Sequence, residues 1–214
     1  MMLSAFALFF AAVLLGMPIA IALGLTGSLI AWLSGIFNPV LIGHVMYQGV
    51  DSFTLLAVPF FMLAGALMEE GGISRRLMNF SFALVGRMRG GLAQVAVVLS
   101  MLFAGLSGSA VADTAAVGSL LIPSMKEKGY REGFAAALVA AGGAIGPIIP
   151  PSIPMVIFAV IANVSVAELF LGGIFPGVFF GLVLMAYSYV EARRYDYPRE
   201  TAAFSVSFLG KTFK

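Results

Sequence analysis

Residues 3–34 form one continuously apolar run. As a single helix it would be about 48 Å long at ~1.5 Å per residue, too long for a ~30 Å hydrocarbon core. Gly16-Met17-Pro18 offers a break, because proline has no amide proton and clashes with the preceding turn. One tilted, kinked helix and two short helices both fit, with Trp32 at an interface, where indoles concentrate. Residues 35–50, from Gly35-Ile36-Phe37-Asn38-Pro39 onward, read as a loop and a short interfacial helix. Asp51-Ser52 looks like an N-cap. It would open a span from Phe53 to Met68, kinked at Pro59 and ended by Glu69-Glu70-Gly71-Gly72. In residues 73–89 the pattern changes. Ile73, Leu77, Phe80, Leu84 and Met88 recur at helical spacing among Arg75, Arg76, Arg87 and Arg89, as in an amphipathic helix lying on a membrane surface.

Two later segments are interrupted. Residues 92–125 are apolar, but Gly105-Leu106-Ser107-Gly108-Ser109 divides them into halves of about 15 residues, ~22 Å each as helix. Two full crossings would have short arms; a re-entrant helical hairpin fits better, its polar tip shielded by protein or water. Small residues in the second arm (Ala110, Ala112, Ala115, Ala116, Gly118, Ser119) permit close packing. Residues 131–163 read as a broken transmembrane helix. A helix from Phe134 to Ile145 stops at Gly146-Pro147-Ile148-Ile149-Pro150-Pro151-Ser152 and restarts near Ile153, running to about Ala162. Asn163 ends that helix and Glu168 starts the last one, which crosses back to Arg193-Arg194 with Tyr187, Tyr189 and Tyr195 as an aromatic belt.

Composition makes this an integral membrane protein: 61% of residues are hydrophobic, 10% are charged and the mean hydropathy is +1.04, against about 25% charged residues in a soluble domain. The charges then orient it. All 12 basic residues lie within 75–89, 126–131 and 193–214. Basic residues collect on the cytoplasmic side, so these stretches share that face and 35–50 and 163–168 lie outside. The net charge of +2, with no basic patch interleaved with exposed aromatics, excludes nucleic acid as a partner. With no cysteine, disulfide and thiol chemistry are excluded; the single histidine, His44, reads as a surface residue and argues against a His-based metal site. The first apolar stretch lacks a basic leader and cleavage site, and is read as a retained helix.

The chemistry concentrates at the two interruptions. Helix C-termini near Gly105 and Gly146 expose carbonyls and partial negative charge, and unwound carbonyls of this kind coordinate Na⁺ in secondary transporters. Ser107 and Ser109 add hydroxyl oxygens, with Gly108 between them. Asp113, four residues after Ser109, is the only ionisable residue in the hairpin, and an intramembrane acid is a functional candidate by default. The bland alternatives are a helix-start role for Asp113, back-bonding for the serines and a structural kink at 146–152.

Gly105-Leu106-Ser107-Gly108-Ser109-Ala110-Val111-Ala112-Asp113-Thr114-Ala115-Ala116, followed by Gly146-Pro147-Ile148-Ile149-Pro150-Pro151-Ser152, closely resembles the large membrane subunit of TRAP transporters, the DctM-like family. The resemblance covers the whole chain, including Gly16-Met17-Pro18 and Ala57-Val58-Pro59-Phe60-Phe61. It implies an all-α ion-transporter-type elevator fold built from two inverted repeats. The repeat present here would comprise scaffold helices over 1–72, an interfacial arm helix over 73–91, and half of the transport domain over 92–165. That half is the re-entrant hairpin 92–125 with the broken helix 131–163; a transmembrane helix and cytoplasmic linker over 166–214 follow. The resemblance favours two short helices, 3–16 and 18–34, at the N-terminus. Gly105, Ser107, Gly108, Ser109, Asp113, Gly146, Pro147, Pro150 and Ser152 would form a sodium and substrate site, with Ser107, Ser109, Asp113 and Ser152 the Na⁺ candidates and no cofactor beyond that coupling ion. The implied function is sodium-coupled import of an organic acid, such as a C4-dicarboxylate or sialic acid, across the bacterial inner membrane. The implied partners are a small membrane subunit and a periplasmic substrate-binding protein. The family chain is about twice as long, so the second repeat is either lost from a fragment or carried by another polypeptide.

Two enzyme-like motifs are weaker. Gly105-Leu106-Ser107-Gly108 matches the G-x-S-G signature of rhomboid-like intramembrane proteases, but no histidine follows to serve as base. Ser205 to Thr212 nearly matches a phosphate-binding loop but lacks its first glycine and a βα context. A non-transporting membrane scaffold is the remaining alternative.

Overall fold

The computed structural model describes residues 2–199, so the loop-like motif at 205–212 and most of the linker lie outside the described residues. The chain forms two compact units, Met1–Ser52 and Phe53–Lys214.

In the first unit, α1 (Met2–Leu14) and α2 (Ile19–Leu33) are separate helices. Gly16 takes φ +84° between them, a conformation glycine adopts freely, and Pro18 directly precedes α2. At ~1.5 Å per residue α1 is only about 20 Å long. Two short helices therefore replace the single kinked one. In α3 (Pro39–Val50), Asn38 Oδ1 accepts the amides of Val40 at 2.9 Å and Leu41 at 3.3 Å, and Pro39 opens the first turn. Asp51 closes α3, its N–H donating to the Tyr47 carbonyl at 2.9 Å. The sequence placed this residue at the start of the next span; its backbone serves the end of the preceding helix.

The second unit opens with a 3₁₀ turn over Phe53–Leu56 and α4 (Ala57–Glu70). Pro59 falls in the first turn of α4, where its missing N–H would have had no partner, so the helix starts there instead of kinking. Next come α5 (Ile73–Val85), α6 (Gly91–Ser107), α7 (Ala110–Glu127), α8 (Glu132–Gly143), α9 (Ile153–Ala162) and α10 (Val166–Arg194). No strand occurs among the described residues. On α5 the packed face is Leu77, Met78, Ser81 and Val85, whereas Leu84, expected on the apolar face, points outward. Ser81 tolerates burial because its hydroxyl donates to the Leu77 carbonyl at 2.8 Å.

The core is α6. Every residue from Gly91 to Ser100 is buried, and the helix touches α4, α5, α7, α8 and α10. A helix apolar all round belongs at the centre of a bundle. The outside is apolar too: Phe175, Phe179 and Leu182 of α10 are exposed while Gly173, Gly177 and Gly181 face inward. Large residues outward and small ones at the helix contact is the membrane arrangement. Among the described residues α10 is the one helix long and apolar enough to cross a bilayer by itself.

The three basic stretches meet at one end of this unit. Arg89 pairs with Asp196, and Arg131 Nη1 donates to the Tyr195 hydroxyl at 2.8 Å. Tyr197 stacks on Tyr130 with centroids 4.2 Å apart, and its hydroxyl accepts the Arg131 amide at 3.3 Å. The segment after α10 thereby ties the start of the hairpin to the start of the broken helix.

Candidate site at the hairpin tip and the broken helix

Both interruptions are built alike. At the hairpin tip α6 runs on through Gly105 to Ser107, two residues further than the sequence suggested. It ends at Gly108, whose φ of +60° reverses the chain. Ser109 then caps α7, its hydroxyl accepting the Ala112 amide at 3.4 Å. In the broken helix, α8 ends at Gly143, and α9 starts behind Ser152. Ser152 Oγ accepts the Met155 amide at 3.3 Å and donates to the Pro147 carbonyl at 2.7 Å. Ser152 therefore straps the break closed as well as capping α9.

The two interruptions touch. A Cβ placed on Gly108 would lie 2.6 Å from the Pro151 carbonyl oxygen and 3.0 Å from Ser152 Cα. A Cβ on Gly146 would lie 2.7 Å from Asp113 Oδ2 and 3.1 Å from the Ala110 amide nitrogen. Glycine at both positions lets two backbones meet without an intervening side chain. Gly105 is looser, since a Cβ there would meet only the Pro150 oxygen, at 3.7 Å.

Asp113 is the centre of the arrangement. It is fully buried, in the first turn of α7. Ser107 Oγ donates to Asp113 Oδ1 at 2.5 Å and accepts the Ser109 amide at 3.0 Å. Asp113 Oδ2 has no hydrogen-bond partner among the described residues. A buried carboxylate oxygen left unpaired is costly, and no Lys, Arg or His lines the adjoining cavity. That cavity, about 720 Å³, runs between α4, α5 and the hairpin, with Ser74, Ser107, Ser109, Asp113 and Ser119 as its polar lining. No cluster of three His, Cys, Asp or Glu side chains suited to a metal occurs among the described residues. The oxygens gathered here come from one carboxylate, hydroxyls and main-chain carbonyls.

A family model described as the DctM component of the tripartite ATP-independent periplasmic transporters matches residues 6–213. The chain belongs to this family. Among its relatives, the large permease of the 2,3-diketo-L-gulonate TRAP transporter of Escherichia coli is 46% identical over 189 residues, 88% of this chain and 44% of the relative. The C4-dicarboxylate large permease of Vibrio cholerae is 41% identical over 87% of this chain and 42% of its own length. The sialic acid large permease of the same organism is 43% identical over 71% of this chain and 36% of its own length. The chain thus spans less than half the length of these DctM relatives.

DctM relatives are transporter permeases, which makes this a membrane protein. The Ser107 hydroxyl is bonded to a carboxylate. The sequence pointed to the serines as oxygen donors. The structure uses Ser109 and Ser152 as caps and Ser107 as the tie to Asp113. The glycines of α10 and Gly143, against which Thr114 and the Ala110 carbonyl pack, went unremarked. The four-residue spacing Gly173, Gly177, Gly181 was the available signal.

Proposed function

We propose that this chain forms the first repeat of a large permease that imports an organic acid together with Na⁺ by an elevator movement. Residues 1–72 serve as scaffold, 73–91 as arm, 92–165 as half of the transport domain, and 166–214 as the last helix and linker. The permease works in the bacterial inner membrane as a multi-pass protein with a small membrane subunit and a periplasmic binding protein. One relative, the isethionate TRAP permease DctMQ of Oleidesulfovibrio alaskensis, carries both letters of the two membrane subunits in its name, which supports the small-subunit partner. Family members named for C4-dicarboxylates and sialic acid support an organic acid as cargo.

The observation that carries the reading is the unpartnered, buried Asp113 Oδ2 beside Gly146. A hard cation favours oxygen donors, and a Na⁺ cargo ion there would offset the desolvation of the carboxylate. Backbone carbonyls at the ends of α6 and α8 supply further oxygens of the right kind. Ser107 then acts by orienting Asp113, since its proton is already committed to Oδ1.

The test is Na⁺-dependent uptake by the complete permease, with its partners, in proteoliposomes. Asp113→Asn raises the half-saturating sodium concentration about tenfold or more, because it removes a charged hydrogen-bond acceptor. Ser109→Ala weakens uptake less, and raising sodium partly rescues it. Unchanged sodium dependence in both variants sinks the reading.

A further inference from the structure

We propose that the groove between α8 and α10 at the basic end of the second unit is a binding site for phosphatidylethanolamine. The groove holds about 370 Å³ and is lined by Arg131, Phe134, Ala137, Leu138, Tyr187 and Glu191, among others. It shares no residue with the hairpin tip and does not depend on how the permease is coupled.

The walls suit an acyl chain. Gly133, Ala137 and Ala141 recur every fourth residue along α8 and open the groove beside the buried Phe134 and Leu138, while Leu184 and Tyr187 of α10 form the facing wall. Such a trough accepts a flexible hydrocarbon tail, with dispersion contacts on both sides.

The end of the groove selects the headgroup. Arg131 Nη1 and Glu191 Oε1 lie 3.9 Å apart, with the Arg131 side chain 60% exposed and that of Glu191 13% exposed. Arg131 commits Nη1 to Tyr195, and its side chain, which lines the groove, is exposed, so further guanidinium donors remain within reach of solvent. A phosphate accepts from those donors in the forked geometry that arginine favours. The neighbouring carboxylate decides between lipids. Phosphatidylglycerol, with net negative charge, meets repulsion from Glu191. Phosphatidylcholine carries a quaternary ammonium that cannot donate a hydrogen bond. The primary ammonium of phosphatidylethanolamine donates to Glu191 while its phosphate sits on Arg131. Arg131 directly precedes α8, and Tyr187 and Tyr195 flank it, which sets the headgroup at interfacial depth.

The experiment is native mass spectrometry of the complete, delipidated permease titrated separately with dioleoyl phosphatidylethanolamine, phosphatidylglycerol and phosphatidylcholine. The ethanolamine lipid is retained in preference to the other two. Arg131→Gln weakens its retention about fivefold, the effect of one basic residue at a lipid headgroup. Glu191→Gln erases the preference over phosphatidylglycerol. Ala137→Phe fills the trough and removes the tight adduct while leaving both charges in place. Thermal unfolding in detergent without lipid verifies that each variant is folded. Equal retention of the three lipids, an unaffected adduct in Ala137→Phe, or no tight adduct because the rest of the permease covers the groove would each overturn the proposal.

Discussion

Ser107 and Asp113 face each other across the turn of the hairpin, the serine hydroxyl donating to Asp113 Oδ1 at 2.5 Å and leaving Oδ2 unpartnered against Gly146. The bond joins the last residue of one helix to the first turn of the next. It fixes which carboxylate oxygen is turned to the broken helix.

The two glycines at the contact between hairpin and broken helix tolerate no side chain. Gly108→Ala forces a residue with a Cβ into φ +60° and against the Pro151 oxygen at 2.6 Å. The left-handed backbone alone costs about 1–2 kcal/mol. Gly146→Ala has ordinary backbone freedom but drives a methyl to 2.7 Å from Asp113 Oδ2. Both variants are expected to lower the thermal midpoint of the purified permease, and Gly146→Ala to weaken sodium dependence more than Gly108→Ala.

At the basic end, packing outweighs charge. Tyr197 is 4% exposed and stacked on Tyr130, so Tyr197→Ala should destabilise the second unit by about 3–5 kcal/mol, the usual range for deleting a buried ring. Tyr197→Phe keeps the stack and loses only the bond from the Arg131 amide, about 1 kcal/mol. The Lys126–Glu132 pair, at 2.6 Å, is the contrast. Its hydrogen bond and charge hold the Glu132 carboxyl below its usual range and the Lys126 ammonium above its own. The Glu132 contribution is therefore present above the unfolded pKa and lost as pH falls through the depressed one. The Lys126 contribution is lost as pH rises through the raised one. Both side chains are largely exposed, at 65% and 67%, so Glu132→Gln should leave the midpoint nearly unchanged across neutral pH. A large shift in Glu132→Gln, or none in Tyr197→Ala, would reverse the ranking.

The basic stretches lead to an expected orientation in the membrane, and with no cysteine in these 214 residues it can be tested once any cysteine in the rest of the permease is replaced. A single cysteine at position 128 in the complete permease should resist an impermeant thiol reagent added outside intact cells and react in inside-out vesicles. Labelling from outside would put the two ends of the 92–125 segment on opposite faces of the membrane and contradict the re-entrant hairpin.

The interruptions were legible in the sequence because they are local. Pro147, Pro150 and Pro151 cannot continue a helix, and Gly108 between two serines announces a turn. Even there, the roles of the serines were not legible. Whether an N-cap hydroxyl is free to bind an ion depends on its second bond, and Ser152 spends its proton on Pro147, five residues back across an irregular segment. Pro59 and Asp51 were misplaced for a related reason, since a proline or an acid near a boundary marks it without saying which helix owns it. The inward stripe of α10 was hidden because its partners, Ile148, Ile149, Met155 and Met101, lie on other elements far back in the sequence. Tyr187, Tyr189 and Tyr195 suggested an aromatic belt, and Tyr197 was not singled out. Tyr195 does lie at the surface, but Tyr197 turns inward, where Tyr130 receives it.

The central claim is that Asp113 Oδ2 receives the cargo cation. Equilibrium binding of radioactive sodium to the complete purified permease measures this without a transport cycle, and Asp113→Asn is the decisive variant because asparagine is itself a good residue for a helix start. The account predicts that Asp113→Asn remains folded and loses about tenfold or more in sodium affinity. Wild-type sodium affinity in Asp113→Asn would contradict it and leave Asp113 as a residue that only starts α7.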